Sequence, residues 1–136
     1  MAGYSGTPLA KKLGCKPGKA LRLVGAPAGF AQTLDPLPEG ARATGGLRGS
    51  TPLDLILCFC PDRRRLDERL PRCKDRLAVA GALWLAWPKK SSGVVTDISE
   101  ADIRAAGLAI GLVDVKICAV DETWSGLKFV YRRKDR

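Results

Sequence analysis

The fold is decided by residues 53–87, LDLILCFCPDRRRLDERLPRCKDRLAVAGALWLAW. Leu53 to Phe59 is an almost continuous apolar run, which is typical of a strand covered on both faces of a parallel sheet. Asp62 then predicts the N-cap of a helix, and Gly81 followed by Ala82 to Trp87 predicts the next strand. A strand, a helix and a strand in this order indicate a right-handed crossover between parallel strands.

The predicted helix has one apolar face. That face carries the side chains that recur at helical spacing, Leu66, Leu70, Cys73 and Leu77. The arginines between them are predicted to face solvent, namely Arg63, Arg64, Arg69, Arg72 and Arg76. Pro71 is expected to kink this helix or to restart it, because proline lacks the backbone N–H that an interior turn needs.

Strands and helices continue to alternate on both sides of this segment. Before it, the pattern predicts a helix over Pro8–Leu13, a strand over Ala20–Val24, a helix over Ala28–Leu34 and a weak strand around Arg42. After it come a helix over Ala101–Ile110, capped by Ser99 and Asp102, and two strands over Leu112–Val120 and Leu127–Arg132. The chain is therefore predicted to be a single three-layer α/β domain of Rossmann type, with a mainly parallel sheet and a C-terminal antiparallel hairpin.

The composition excludes several classes of function. The 136 residues include no histidine, which excludes Ser-His-Asp triads, Cys-His pairs and histidine metal sites. No complete catalytic set is found, and no catalytic residue is predicted. Five cysteines, an odd number, favour a reducing cytoplasm, and Cys58 and Cys60 are interpreted as buried thiols rather than zinc ligands. The longest apolar run, Leu77–Trp87, is shorter than the about 20 residues of a membrane-spanning helix, so no membrane partner is predicted.

The net charge of +9 is unevenly distributed. Residues 1–22 contain five basic residues and no acidic one, and residues 128–136 contain five basic residues beside Asp135. Such segments suit a polyanionic partner, so a nucleic acid or an acidic protein is one candidate partner. A solvated basic surface without a partner is the other interpretation.

Four loops follow predicted strands that run in the same direction, so they are expected to converge at one edge of the sheet, where open α/β folds bind ligands. The candidate ligand-binding residues in these loops are Gly25, Pro27, Gly29, Trp87, Lys89, Lys90, Ser91, Ser92, Asp121, Glu122 and Trp124. Backbone amides at a helix start, lysine ammonium groups and serine hydroxyls all donate hydrogen bonds to anions. The loops therefore predict a site for a small anionic or nucleotide-like ligand.

The tryptophans are predicted to have different roles. Trp84 is expected in the core and Trp87 at the edge of the sheet, since residues three apart on a strand face opposite sides. Residues 121–126 are predicted to form the hairpin connection, with Trp124 packed toward the loop over residues 89–93. Asp121 or Glu122 is expected to hydrogen-bond to Lys89, to Lys90 or to a backbone amide of that loop. Tyr4 is a candidate lid over the site or an N-terminal anchor.

The predicted order of elements resembles that of class I S-adenosylmethionine-dependent methyltransferases. The turn Gly25-Ala-Pro-Ala-Gly29 takes the place of their glycine-rich cofactor loop, Leu53–Leu57 resembles their fourth strand, and Leu77–Trp84 resembles their passage into the fifth. The resemblance implies a methyltransferase-like domain with S-adenosylmethionine or a nucleotide as its possible cofactor. The chain departs from that pattern between Gly40 and Pro52, which contains no acid to hold a ribose.

Three longer segments, Tyr4–Gly14, Ala86–Gly93 and Val120–Lys128, resemble the bacterial domain-of-unknown-function family 3052. That family of small bacterial proteins has no established activity, so this resemblance implies a common family and no particular biochemical activity. Three hypotheses of function follow from the sequence. The first is a non-catalytic domain that binds an anionic or nucleotide-like ligand, the second is an active methyltransferase, and the third is a module that binds nucleic acid or acidic protein.

Overall fold

A computed structural model describes residues 7–136 as one six-stranded sheet with helices on both faces, which confirms the predicted α/β fold. The strands are β1 (Ala20–Val24), β2 (Arg42–Gly45), β3 (Leu53–Phe59), β4 (Leu77–Pro88), β5 (Leu112–Ala119) and β6 (Trp124–Tyr131). The helices are α1 (Leu9–Lys12), α2 (Phe30–Thr33), α3 (Arg63–Arg76) and α4 (Glu100–Ala109), with 3-10 turns at Lys90–Ser92 and Arg133–Asp135. Tyr4 lies outside the described residues.

The strand order across the sheet is β2-β1-β3-β4-β6-β5. Strands β1 to β4 pair in parallel, and β6 pairs antiparallel with both β4 and β5, which confirms the predicted C-terminal hairpin. From β1 the chain continues to β2 on one side of the central pair β1 and β3, and from β3 it continues to β4 on the opposite side. The carboxyl ends of β1 and β3 therefore flank the topological switch point, where open α/β sheets bind ligands.

Strand β4 begins earlier than predicted. It starts at Leu77, directly after α3, so Gly81 lies inside the strand rather than at its start. The pairing of β4 with β3 is irregular between Leu53 and Leu55, and a Cβ at Gly81 would approach the Leu53 carbonyl oxygen at 2.9 Å. Glycine is required at this position because the two backbones come close together at the irregularity.

Helix α3 is one element of 14 residues that continues through Pro71, so the predicted restart does not occur. Its apolar face is buried as predicted. Three of the arginines that were predicted to face solvent, Arg63, Arg69 and Arg76, are instead half-buried. Arg69 donates a hydrogen bond to the Phe59 carbonyl, and Arg76 donates to carbonyl groups in segment 47–51. Both occupy the margin of the apolar face, where a long side chain reaches over the neighbouring strands.

Two separate cores cover the two sides of the sheet. The helix face is the side under α3 and α4, with buried residues that include Ile56, Leu66, Leu70, Leu83 and Ile103. The loop face is the side under α1 and α2, with buried residues that include Leu13, Leu21, Phe30, Phe59 and Trp84. Trp84 belongs to the loop face and Trp87 to the helix face, so the predicted opposition of the two indoles is confirmed.

Three cysteines, Cys58, Cys60 and Cys73, are buried in the helix face. Hydrogen bonding to Cys60, together with burial, raises the pKa of Cys58, and hydrogen bonding to Cys58, together with burial, raises that of Cys73. These two groups are therefore held as neutral thiols. No cluster within residues 7–136 joins three side chains suited to bind a metal ion, and no helix in that range is long and apolar enough to cross a membrane.

Candidate functional site

The loops that follow β3, β4 and β5 meet at the carboxyl edge of the sheet. Because β4 and β5 both pair antiparallel with β6, they run in the same direction and end at the same edge. The Lys89 backbone N–H donates to the Thr123 carbonyl at 2.9 Å, which joins the loops after β4 and β5. The Thr96 hydroxyl donates to the Pro61 carbonyl at 2.8 Å, which joins the loop after β3 to the segment after β4.

A cavity of about 790 Å³ opens at the carboxyl end of β4. Trp87 forms part of its lining and is 5% exposed, and Ser125 pairs with Trp87 across the sheet. Lys89 and Lys90 line the cavity together with the first turn of α4. Pockets for small molecules commonly measure about 300–1,000 Å³. The structure thus brings three of the predicted residues, Trp87, Lys89 and Lys90, to one cavity of suitable size.

The cations at this cavity differ in their partners. Arg104 forms ion pairs with Glu100 at 2.8 Å and with Asp114 at 3.0 Å, and these hydrogen bonds raise the pKa of its guanidinium. Neither Lys89 nor Lys90 has a carboxylate within ion-pair distance among the described residues. The positive charge that is available to a ligand here therefore belongs to the two lysines.

The two serines of the loop do not supply the hydroxyl donors that were expected. The Ser92 hydroxyl donates to the Lys89 carbonyl at 2.7 Å and accepts from the Val94 N–H at 3.1 Å. Ser91 is exposed and lies outside the lining of the cavity. The hydroxyl of Ser92 is used locally because Lys90–Ser92 forms a 3-10 turn, and this turn positions the two lysines.

The hairpin connection is shorter than predicted, because β6 already begins at Trp124. The Asp121 carboxylate accepts hydrogen bonds from the backbone N–H groups of Thr123 and Trp124, at 2.8 and 2.9 Å, so it closes its own turn. Glu122 is exposed. The expectation that either carboxylate bonds to the loop over residues 89–93 is wrong for Asp121. The loops are joined by main-chain atoms instead.

Trp124 packs on Phe59 rather than on the loop over residues 89–93. The two rings meet edge-on, with centroids 5.0 Å apart and an interplanar angle of 89°. Trp124 pairs with Pro88 in the sheet, one position along from the pair formed by Trp87 and Ser125. Successive strand residues face opposite sides, so Trp124 lies on the loop face and the cavity lies on the other.

The glycine turn lies at the carboxyl end of β1, beside the switch point. Gly25 and Gly29 have positive φ angles of +68° and +80°, which are conformations that favour glycine. The Phe30 N–H donates back to the Pro27 carbonyl, and the helix that follows has four residues. The predicted row of free helix-start amides is therefore not formed. Gly25, Pro27 and Gly29 contribute nothing to the lining of the cavity at β4.

Arg69 is a residue of this edge that the sequence interpretation missed. Its Nη1 donates to the Phe59 carbonyl oxygen at 2.6 Å, at the end of β3. Its guanidinium also lies so close to Gly25 that a Cβ there would overlap it. The side chain therefore spans the carboxyl ends of β1 and β3. The signal that could have found it is its spacing of three residues from Leu66, which places it beside the buried face of α3.

Solved structures with a similar fold include methyltransferases. Ribosomal protein L11 methylase from Lactobacillus delbrueckii subsp. bulgaricus matches with a TM-score of 0.63 and 13% identity, over 92% of this chain and 75% of that one. A SAM-dependent methyltransferase from Aquifex aeolicus matches with a TM-score of 0.59 and 14% identity, over 89% and 86% of the two chains. Magnesium protoporphyrin IX methyltransferase from Synechocystis PCC 6803, solved with bound SAH, matches with a TM-score of 0.57 and 10% identity, over 85% and 75%.

At these identities the similarity shows the fold alone, and it supports the predicted resemblance to class I methyltransferases. No family model and no curated protein sequence matches the chain. The resemblance to the domain-of-unknown-function family 3052 therefore stays a prediction.

The polar residues at the carboxyl edge do not match S-adenosylmethionine. This cofactor carries a sulfonium and an ammonium group beside one carboxylate, so its net charge is positive, and Arg69 places a further positive charge at the switch point. Strand β2 ends at Gly45 and is followed by Gly46 and Leu47, so its carboxyl end has no acidic side chain to accept hydrogen bonds from a ribose. The chain thus has the fold and the glycine turn, without the charges that would favour this ligand.

Proposed function

We propose that this protein is a non-catalytic, methyltransferase-like domain that binds a small anionic or nucleotide-like ligand at the carboxyl edge of its sheet. The observation that carries the proposal is the cavity beside Trp87, where Lys89 and Lys90 have no acidic partner among residues 7–136. Ammonium groups beside an apolar wall suit a ligand that joins an anionic group to a flat apolar body.

The non-catalytic part of the proposal rests on the side chains of the cavity. Its acidic lining residue is Glu100, and an ion pair with Arg104 holds that carboxylate. The chain has no histidine to move a proton near neutral pH. Binding and orientation of a ligand are therefore the roles that these residues support.

A panel of AMP, ADP, S-adenosylhomocysteine and S-adenosylmethionine tests the proposal by thermal shift and calorimetry. A ligand at 100 times its Kd adds about 2.7 kcal/mol of stability, which is a rise of several degrees in Tm for a chain of this size. We expect at least one anionic member to raise the Tm of the wild type. The double variant Lys89→Ala with Lys90→Ala is expected to bind it more weakly.

The matched control removes the same charge at the opposite edge of the sheet. Lys16 and Lys19 are exposed there, beside Asp54 and Ala80 at the starts of β3 and β4. Lys16→Ala with Lys19→Ala is expected to leave binding unchanged. Equal weakening of binding in both double variants would show that the effect depends only on the overall charge of the protein. If no ligand of the panel binds, the proposal is refuted.

An active methyltransferase with an unidentified acceptor is the second candidate. The fold of the methyltransferases described above favours it, and an acidic acceptor would require little beyond proximity and orientation. Arg69 and the missing acid after β2 argue against it. In the same panel, tighter binding of S-adenosylmethionine than of AMP would favour this candidate over the first.

A further inference from the structure

The side chain of Arg69 is held in place by a single hydrogen bond. A guanidinium has five N–H donors, and the Phe59 carbonyl accepts from Nη1. No other hydrogen bond and no carboxylate within ion-pair distance engages this side chain among the described residues. The group is therefore half-buried, positioned and charged, with most of its donors available.

The other arginines that reach over the sheet each have two partners. Arg22 donates to the carbonyls of Gly46 and Arg48, and Arg76 donates to two carbonyls of segment 47–51. Arg104 has two carboxylate partners. Those three arginines fasten loops and helices to the sheet. Arg69 differs because one carbonyl, rather than two acceptors, engages its guanidinium.

The position of Arg69 is as informative as its contacts. Open α/β sheets bind ligands at the switch point, and in dinucleotide-binding folds a glycine turn lets backbone approach the phosphate groups there. In this chain a side chain at Gly25 would overlap the guanidinium, so the glycine lets Arg69 approach the turn. A ligand bound at the carboxyl ends of β1 and β3 would therefore meet a guanidinium.

Resting on the proposed function, we infer that Arg69 binds the phosphate group of a nucleotide at the switch point between β1 and β3. A guanidinium matches a phosphate with two parallel hydrogen bonds, and its charge has the same sign as the net charge of S-adenosylmethionine, whose sulfonium and ammonium groups outweigh its one carboxylate. The site thus selects phosphorylated nucleosides over the cofactor of the methyltransferases that share its fold.

Calorimetry with AMP, adenosine and S-adenosylmethionine tests this inference on the full chain. The wild type is expected to bind AMP about tenfold or more tightly than adenosine, because charge-assisted hydrogen bonds to the phosphate are lost with the nucleoside. In Arg69→Met, which keeps the apolar stem, most of the preference for AMP over adenosine is expected to disappear. Arg72→Met is the control, since Arg72 is an exposed residue of the same helix and its loss changes the net charge equally.

Arg69→Lys is a second variant in case Arg69→Met does not fold. It keeps the charge and removes the fork, so most of the preference for AMP over adenosine is expected to disappear. The inference is overturned if the preference survives in either folded variant, if Arg72→Met loses it equally, or if the wild type binds S-adenosylmethionine more tightly than AMP. If the preference for AMP survives in a folded Arg69 variant, loss of AMP binding in the Lys89 and Lys90 double variant would still support the proposed function. Absence of all binding would refute both the inference and the proposed function.

Discussion

The two faces of the sheet are covered in different ways. On the helix face, α3 and α4 contribute 14 and 10 residues and bury regular rows of side chains. On the loop face, α1 and α2 have four residues each, and large rings fill the core. Phe59 contacts Phe30 and Trp124 there, with ring centroids 4.8 and 5.0 Å away.

The difference shows where the stability of each face originates. A four-residue helix is far below the length at which a helix is stable by itself, so α1 and α2 depend on the side chains they cover. Trp84 links β4 to the end of α1, because its indole Nε1 donates to the Leu13 carbonyl at 2.9 Å. The loop face should therefore be more sensitive than the helix face to the loss of one large side chain.

Trp84→Ala is expected to have the largest effect. The residue is fully buried, and truncation of a buried Trp costs about 3–5 kcal/mol, a large part of the total stability of a small domain. Urea unfolding measures the loss. Leu66→Ala on the helix face is the comparison, at about 2–5 kcal/mol. If Leu66→Ala is as damaging as Trp84→Ala, the greater sensitivity of the loop face is wrong.

Gly107→Ala tests how tightly the helix face is packed. In an exposed helix this change would stabilise by about 0.5–1 kcal/mol. Gly107 is buried in α4, and a Cβ there would overlap the ring of Phe129. We therefore expect a net loss of about 1–2 kcal/mol in unfolding free energy, since overpacking a core typically costs 1–3 kcal/mol. A stabilised variant would show that α4 can move away from β6 at little cost.

The helix face was largely predictable because its signals are local. The spacing of Leu66, Leu70 and Cys73, and the caps at Asp62 and Ser99, lie within single turns of the helices they define. The loop face was less predictable, since the hydrogen bond of Trp84 to Leu13 joins residues 71 positions apart. No window along the sequence contains such a pair.

The candidate site was predictable only where the direction of the strands determined it. The convergence of loops followed from strand direction, and it placed Trp87, Lys89 and Lys90 at one cavity. The direction of individual side chains depended on where β6 begins, and that boundary moved Trp124 to the opposite face. Arg69 was not predicted as a site residue because its position at the edge depends on Gly25, which lies 44 positions earlier in the chain.

Pro71→Ala is expected to stabilise the helix face. Proline inside a helix removes a backbone hydrogen bond and crowds the preceding turn, and Pro71 is exposed within α3. The gain in the helix is partly offset because proline also restricts the unfolded chain. We expect a net increase of about 1 kcal/mol in urea unfolding. Pro52→Ala, at an exposed position outside the helices, is the control without this gain. A destabilised Pro71→Ala would indicate that the ring supports the groove between α3 and α4.

The smallest expected effect is a pH dependence that belongs to the helix face. The Asp62 carboxylate accepts from the Arg65 backbone N–H, and the Asp102 carboxylate accepts from the Ser99 backbone N–H. These hydrogen bonds lower the pKa of both carboxyl groups below the ordinary 3.8. By contrast, the N-cap residues of α1 and α2 are Pro8 and Gly29, which provide no side-chain cap.

A carboxyl group whose pKa is lower in the folded state stabilises the fold above its unfolded pKa, and this stabilisation is lost as the pH falls through the folded value. Between about pH 5 and pH 2, the Tm of the wild type should therefore fall more steeply than that of Asp62→Asn with Asp102→Asn. Asn still caps a helix, so the double variant should remain folded. Asp75→Asn, at an exposed position near the end of α3, is the control and should follow the wild type. Parallel curves for the wild type and the double variant would show that the two caps do not cause the acid sensitivity, and the helix face would then differ from the loop face in packing alone.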